Sequence, residues 1–205
     1  MRLILSSGAR LFYHNRRALT ELHGRGSFMW DSFFSLLERY ATWPVVALLF
    51  VLFLLCAQGF EWRRKILGYE NPGLDSRFWY SPGEARDFFQ NIGESGRRIY
   101  VATQLTLDIV FPLIYGTLFA ALIIHIYARE NAKILVLVPL LTVAADLLEN
   151  ATTVYLASQF DGQASPVARG AATFTAAKTS LFFLAIILIG LGALLAIWRT
   201  TRSLG

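Results

Sequence analysis

A chain of 205 residues that is 55% hydrophobic and only 16% charged, with a mean hydropathy of +0.48, is too apolar for an ordinary soluble domain. Its net charge of +5 does not call for nucleic acid. Apart from Lys65, Lys133 and Lys178 every basic residue is Arg, and nearly all lie between apolar runs, where they anchor and orient a membrane protein. The lone cysteine, Cys56, leaves no internal disulfide and no cysteine metal site.

Residues 1–42 form a polar, Arg-rich segment. So long a polar stretch ahead of the first apolar run is unlike a cleavable signal peptide, so that run is expected to act as an uncleaved anchor. From about Ser27 to Tyr40, residues Met29, Trp30, Phe33, Phe34, Leu36 and Leu37 give a broad apolar face, which predicts an interfacial helix.

Residues 43–198 read as a four-helix transmembrane domain, because a hydrocarbon core of about 30 Å needs about 20 apolar residues per helix. The spans fall at about 44–62, 100–127, 134–157 and 173–198, and residues 199–205 are a tail. Trp43 and Trp62 frame the first span, and Arg63, Arg64 and Lys65 close it. In the extramembrane loop 63–98, Asn71-Pro72-Gly73 is a turn. Ser81-Pro82-Gly83-Glu84 then reads as a helix start that continues through Ala85, Phe88, Phe89 and Ile92 and stops near Gly93 or Gly96. This amphipathic helix is expected to lie as a lid on the membrane surface. A very short turn near Arg129 to Lys133 makes spans two and three antiparallel neighbours, and Asp161-Gly162 and Ser165-Pro166 turn the chain into span four. There, Gly192 and Ala196 form a small-xxx-small pair that would let another helix approach. The fold class is therefore all-α: a four-transmembrane-helix bundle with an N-terminal interfacial helix and an amphipathic helix in the first loop. A slight basic excess in residues 1–42, the second loop and the tail makes cytoplasmic termini the expectation, and the plasma (inner) membrane is the expected location.

Three acids stand where hydrocarbon disfavours them: Asp108 in span two, and Asp146 and Glu149 in span three. An ionised group at mid-membrane costs about 2.5 kcal/mol or more and normally faces a protein interior. Gln104, Asp108, Pro112 and Tyr115 share one helical face at i, i+4, i+8 and i+11, and Thr142, Asp146, Glu149, Asn150 and Thr153 share another. Asp108 and Glu149 each lie about 12 Å below the same surface, at about 1.5 Å per residue. Lys178, with Thr175 and Thr179, enters from that side on span four, and Gln58 and Glu61 end span one there.

The convergence predicts a wet pocket under the lid, lined by Gln104, Asp108, Tyr115, Asp146, Glu149, Asn150 and Lys178. Three carboxylates against one lysine leave a deficit of positive charge, to be met by protons, by Arg97 or Arg98 from the loop, by a metal ion or by a cationic ligand. Interhelical glue is the plainer alternative, but such contacts contribute only about 0.6 to 2 kcal/mol each. Residue types disfavour a metal: no histidine is near, so none is assigned, and the cofactor stays undetermined. Pro112 and Pro139 could open backbone carbonyls toward the pocket.

No Ser or Cys nucleophile with a matching His, no Gly-rich phosphate loop and no metalloprotease helix motif is present, which excludes the standard hydrolase and kinase readings. The leading expectation is binding of a lipid-like or amphipathic ligand by a polar or cationic head, with the bilayer as partner and no nucleic acid. An intramembrane acid–base enzyme of isomerase type would instead use Asp108, Asp146 and Glu149 as catalytic carboxyls. Proton- or cation-coupled transport would require a homo-oligomer.

The layout of a first span, an ordered extramembrane helix, a second span bearing an acid followed by proline (Asp108 to Pro112) and two further spans resembles the EXPERA group of sterol isomerases and ligand-binding membrane proteins. The resemblance covers topology over about residues 44–198. It implies a bundle of four or five helices that holds a cationic amine or carbocation-like species against buried carboxylates, and it transfers no individual residue role.

Overall fold

The computed structural model describes residues 28–67 and 73–203, which are almost entirely helical, with no strand among them. The chain divides into two units, residues 1–40 and 41–205. In the first, residues 28–40 form helix α1, with Phe28, Met29, Phe33, Leu36 and Tyr40 exposed and the rings of Trp30 and Phe33 5.7 Å apart. Ser27, the expected start of this helix, lies outside the described residues.

The second unit contains α2 (Trp43–Leu67), a 3-10 turn (Leu74–Ser76), α3 (Pro82–Asn91), α4 (Gly93–Gln104), α5 (Leu107–Ile126), α6 (Arg129–Leu135), α7 (Leu137–Ser158) and α8 (Val167–Ser203). Four helical stretches are long and apolar enough to cross a membrane: Trp43–Ile66, Gly93–Ile126, Arg129–Ser158 and Val167–Arg202. The protein is thus an all-α integral membrane protein, as its hydropathy pattern predicts. Each helix outruns its apolar core, because hydropathy marks the oily stretch while backbone hydrogen bonds continue past it.

One expected turn moves, and one helix break is unexpected. Arg129 to Lys133 is not a turn but most of α6; the reversal is confined to Tyr127 and Ala128. Span two is interrupted at Leu105 and Thr106, between α4 and α5. The causes are local. Thr103 and Thr106 turn their hydroxyls back onto the carbonyls of Ile99 (2.9 Å) and Ala102 (2.7 Å), a pattern that bends helices, and Pro112 cannot donate to the carbonyl of Asp108. Asp108 thereby falls in the first turn of α5, where the helix dipole favours negative charge.

α5 is the central span, packed on α2, α7 and α8, while α7 and α8 form an extensive antiparallel pair. Gly116 permits the α5–α7 approach, since a methyl group there would run into the Val143 side chain. Gly192 likewise seats Ile126 and Tyr127, and the Tyr127 hydroxyl donates to the Leu188 carbonyl at 2.7 Å. The small residue thus serves packing within the chain, while Ala196 is exposed. On the loop side, α3 begins with the expected capping box: Ser81 N–H donates to Glu84 at 2.7 Å and Glu84 N–H to Ser81 Oγ at 3.2 Å. Its buried face, Ala85, Phe88 and Phe89, packs with Tyr100, Leu156, Ala168, Ala171 and Ala172. α3 therefore docks on the ends of α4, α7 and α8, and it contributes no residue to the large cavity described below. The lid reading is corrected on this point: its aromatic residues find a protein surface of small alanines to cover.

Candidate functional site

The polar stripes of α4–α5 and α7 are buried. Gln104, Asp108, Thr142, Asp146, Glu149, Asn150 and Thr153 are each at most 4% exposed, and Tyr115 is 2% exposed. Lys178 on α8 bridges two of the acids. Its Nζ donates to Asp146 Oδ1 at 3.1 Å and forms a close ion pair with Glu149 Oε2. The remaining oxygens are also used: Tyr115 Oη donates to Asp146 Oδ2 at 2.8 Å and Thr175 Oγ1 to Glu149 Oε1 at 2.7 Å. Three helices are joined through this chain of contacts, in which one cation serves two carboxylates.

Asn150 has a different task. Its amide donates to the main-chain oxygen of Asp108 at 2.6 Å, the oxygen left without a helical donor by Pro112 four residues on. The carbonyl opened by the proline is thus taken by the neighbouring helix and not offered to a ligand. Thr142 and Thr153 direct their hydroxyls to carbonyls of their own helix.

Beside this network lies a cavity of about 540 Å³. Its walls are Ala57 and Phe60 of α2, Asp108, Phe111 and Tyr115 of α5, Asp146 of α7, and Lys178, Thr179 and Phe182 of α8. Of the expected ligand residues, Asp108, Tyr115, Asp146 and Lys178 line this space; Gln104, Glu149 and Asn150 do not. Glu61 also lines it, whereas Gln58 is exposed and does not.

The far side holds an ion pair that the sequence does not announce. Arg63 turns inward and pairs with Asp75 at 2.9 Å, with both side chains only 8% exposed, and its guanidinium lies 5.3 Å from the Phe60 ring centroid and 5.6 Å from that of Tyr100. The expected loop cations are elsewhere: Arg97 donates to the Phe89 carbonyl and stacks over Phe160, and Arg98 pairs with Glu94 in solvent. Arg63 was concealed in the sequence by its place in an Arg-Arg-Lys run that resembles an ordinary interfacial anchor. The Arg63–Asp75 pair fixes the segment Gly73–Ser76, and Gly73 and Leu74 are buried there. Just outside the spans, burial pushes the Tyr80 phenol well above its ordinary range.

The charges around the cavity leave one group over. Arg63 is matched by Asp75 and Arg64 by Glu61 at 2.8 Å, while Lys178 is shared by Asp146 and Glu149. Asp108 is 4% exposed, forms no ion pair or side-chain hydrogen bond among the described residues, and has its Oδ2 buried. The same cavity is lined by the rings of Phe60, Phe111, Tyr115 and Phe182, with Phe60 and Phe111 5.2 Å apart and Tyr115 and Phe182 5.2 Å apart. A lone carboxylate in an aromatic enclosure suits a cation that carries apolar substituents, since the carboxylate supplies charge and ring faces attract cations.

No protein-family model matches this chain, and neither a curated protein nor a solved structure is significantly similar to it. The chemistry of the site therefore rests on its own geometry. Among the described residues no group of three or more His, Cys, Asp or Glu side chains is arranged to hold a metal ion.

Proposed function

We propose that this integral membrane protein binds an amphipathic ligand through a cationic head, with Asp108 as the counter-ion and the aromatic walls of the cavity as the seat of the apolar part. The observation that carries this reading is the carboxyl of Asp108, unmatched among the described residues, in a cavity whose other charged lining residues are paired. An ionised, unpartnered carboxylate in a low-dielectric setting is costly, and an incoming cation offsets part of that cost on binding. The cavity volume falls in the range of pockets that hold one small organic molecule.

Binding is favoured over acid–base catalysis for a specific reason. The acid–base reading assigns proton exchange to Asp108, Asp146 and Glu149, and of these Asp146 and Glu149 are both engaged by Lys178 and by hydroxyl donors.

The test is equilibrium binding of a series of alkyl and aryl amines to the purified protein in nanodiscs. Asp108→Asn is expected to weaken the best amine about 10- to 100-fold, since a charged hydrogen-bonded contact is worth about 1.5 to 3 kcal/mol. Neutral alcohols of the same shape should bind the parent and the variant alike. Amine affinities that are unchanged in Asp108→Asn would remove the proposal.

A further inference from the structure

Resting on the reading of Asp108 as the cation partner, we infer that the cavity is loaded sideways from the bilayer, through the slot between α2 and α8, and that its ligand is a membrane-dissolved amphiphilic amine and not a water-borne ion. The loop end of the cavity is lined by charged pairs, the buried Arg63–Asp75 pair and the half-exposed Arg64–Glu61 pair. Gly73 and Ser76 line the same end, tied by the first of these pairs, and the fit at Gly73 is so tight that a methyl group there would collide with Asp75.

The lateral side is framed differently. Ala57 and Phe60 on α2 and Thr179 and Phe182 on α8 all line the cavity and are only partly buried, and α2 and α8 are not among the extensively packed helix pairs. Outward from them the helices present Leu54, Leu55, Phe183, Ile186 and Ile187 to the surroundings. A path between the two helices therefore leads from hydrocarbon to the carboxyl past apolar side chains and needs no ion pair to break.

The vertical order of the cavity agrees with this. Gly59 packs on Leu107, which sets Asp108 at the level of Gly59 and Phe60, about one turn inward from Arg63. Phe111, Tyr115 and Phe182 follow deeper, beside the paired Asp146 and Lys178, so the unmatched carboxyl sits nearer the interface than these rings. An amine with a hydrocarbon body lies in a leaflet in that same orientation and reaches Asp108 without reversing.

The experiment follows the rate at which decylamine, pre-equilibrated into proteoliposomes, quenches a reporter in the cavity of the full chain. In a Cys56→Ala background, Ala57→Cys and Thr179→Cys are joined after purification by a reducible thiol linker across the slot; separately, Ala57→Trp fills it. Both obstructions are expected to slow decylamine association about tenfold, and reduction of the linker should restore the parent rate. An association rate unchanged by both obstructions would overturn the sideways route. Loss of the underlying site reads differently: full decylamine affinity in Asp108→Asn would show that the carboxyl is not the partner, whatever the route.

Discussion

The side-chain amide of Asn150 completes the backbone of a neighbouring helix that Pro112 leaves incomplete: its Nδ2 lies 2.6 Å from the carbonyl oxygen of Asp108. In lipid an unsatisfied carbonyl has no water to turn to, so the two residues act as a unit. Asn150→Leu should destabilise the protein by about 1 to 3 kcal/mol in a Pro112-containing chain. In a Pro112→Ala background, where the substituted residue regains an N–H that can donate to the Asp108 carbonyl, the same change should cost less. Chemical denaturation of the four proteins in a double-mutant cycle measures the difference.

Lys178 stands between Asp146 and Glu149, and its removal leaves two buried carboxylates without a cation. Lys178→Met is expected to cost about 3 to 5 kcal/mol, the usual penalty for breaking a buried pair from one side. Adding Asp146→Asn and Glu149→Gln should return most of that stability. Thermal unfolding in detergent reports both steps, and a triple variant no more stable than Lys178→Met would show that the three do not form one electrostatic unit.

Asp108 should behave in the opposite sense. With no ion-pair or hydrogen-bond partner for its side chain among the described residues, its replacement by Asn is expected to raise the stability of the ligand-free protein, by about 1 kcal/mol or more, while weakening amine binding. A melting temperature that falls in Asp108→Asn would indicate a structural role for the carboxyl.

The start of α3 gives a pH dependence outside the membrane. The Ser81 N–H donates to the Glu84 carboxylate, and this holds the Glu84 pKa below its ordinary value. Its contribution is therefore complete above the normal Glu range and is lost as pH falls through the depressed folded value. Hydrogen exchange of the first turn of α3 should accelerate in that acid window in the parent and be insensitive to pH there in Glu84→Gln. Ser81→Ala, which removes the other half of the box, should cost about 1 kcal/mol at neutral pH.

The spans and the buried stripes could be read in advance because both depend on local periodicity. Twenty apolar residues must cross, and polar residues at i, i+4 and i+8 must share a face. The capping box was legible for the same reason. What was not legible is which carboxyl would be left over. Asp108, Asp146 and Glu149 look equivalent in one dimension, and only the rotation of α8 decides that Lys178 takes the last two. The Arg63–Asp75 pair depends on how the chain folds back after α2, and nothing in the spacing of twelve residues announces it. The lid expectation failed because α3 is amphipathic, and amphipathicity does not distinguish a lipid surface from the alanine-rich ends of α7 and α8.

α2 is hung on the rest of the bundle chiefly through α5, by way of Gly59 and the ring contacts of Phe53 and Phe60 with Phe111. The spacing of α2 and α8 is therefore held by few contacts within the chain and is expected to follow the lateral pressure of the leaflet, a stiff bilayer narrowing the cavity and a loose one widening it.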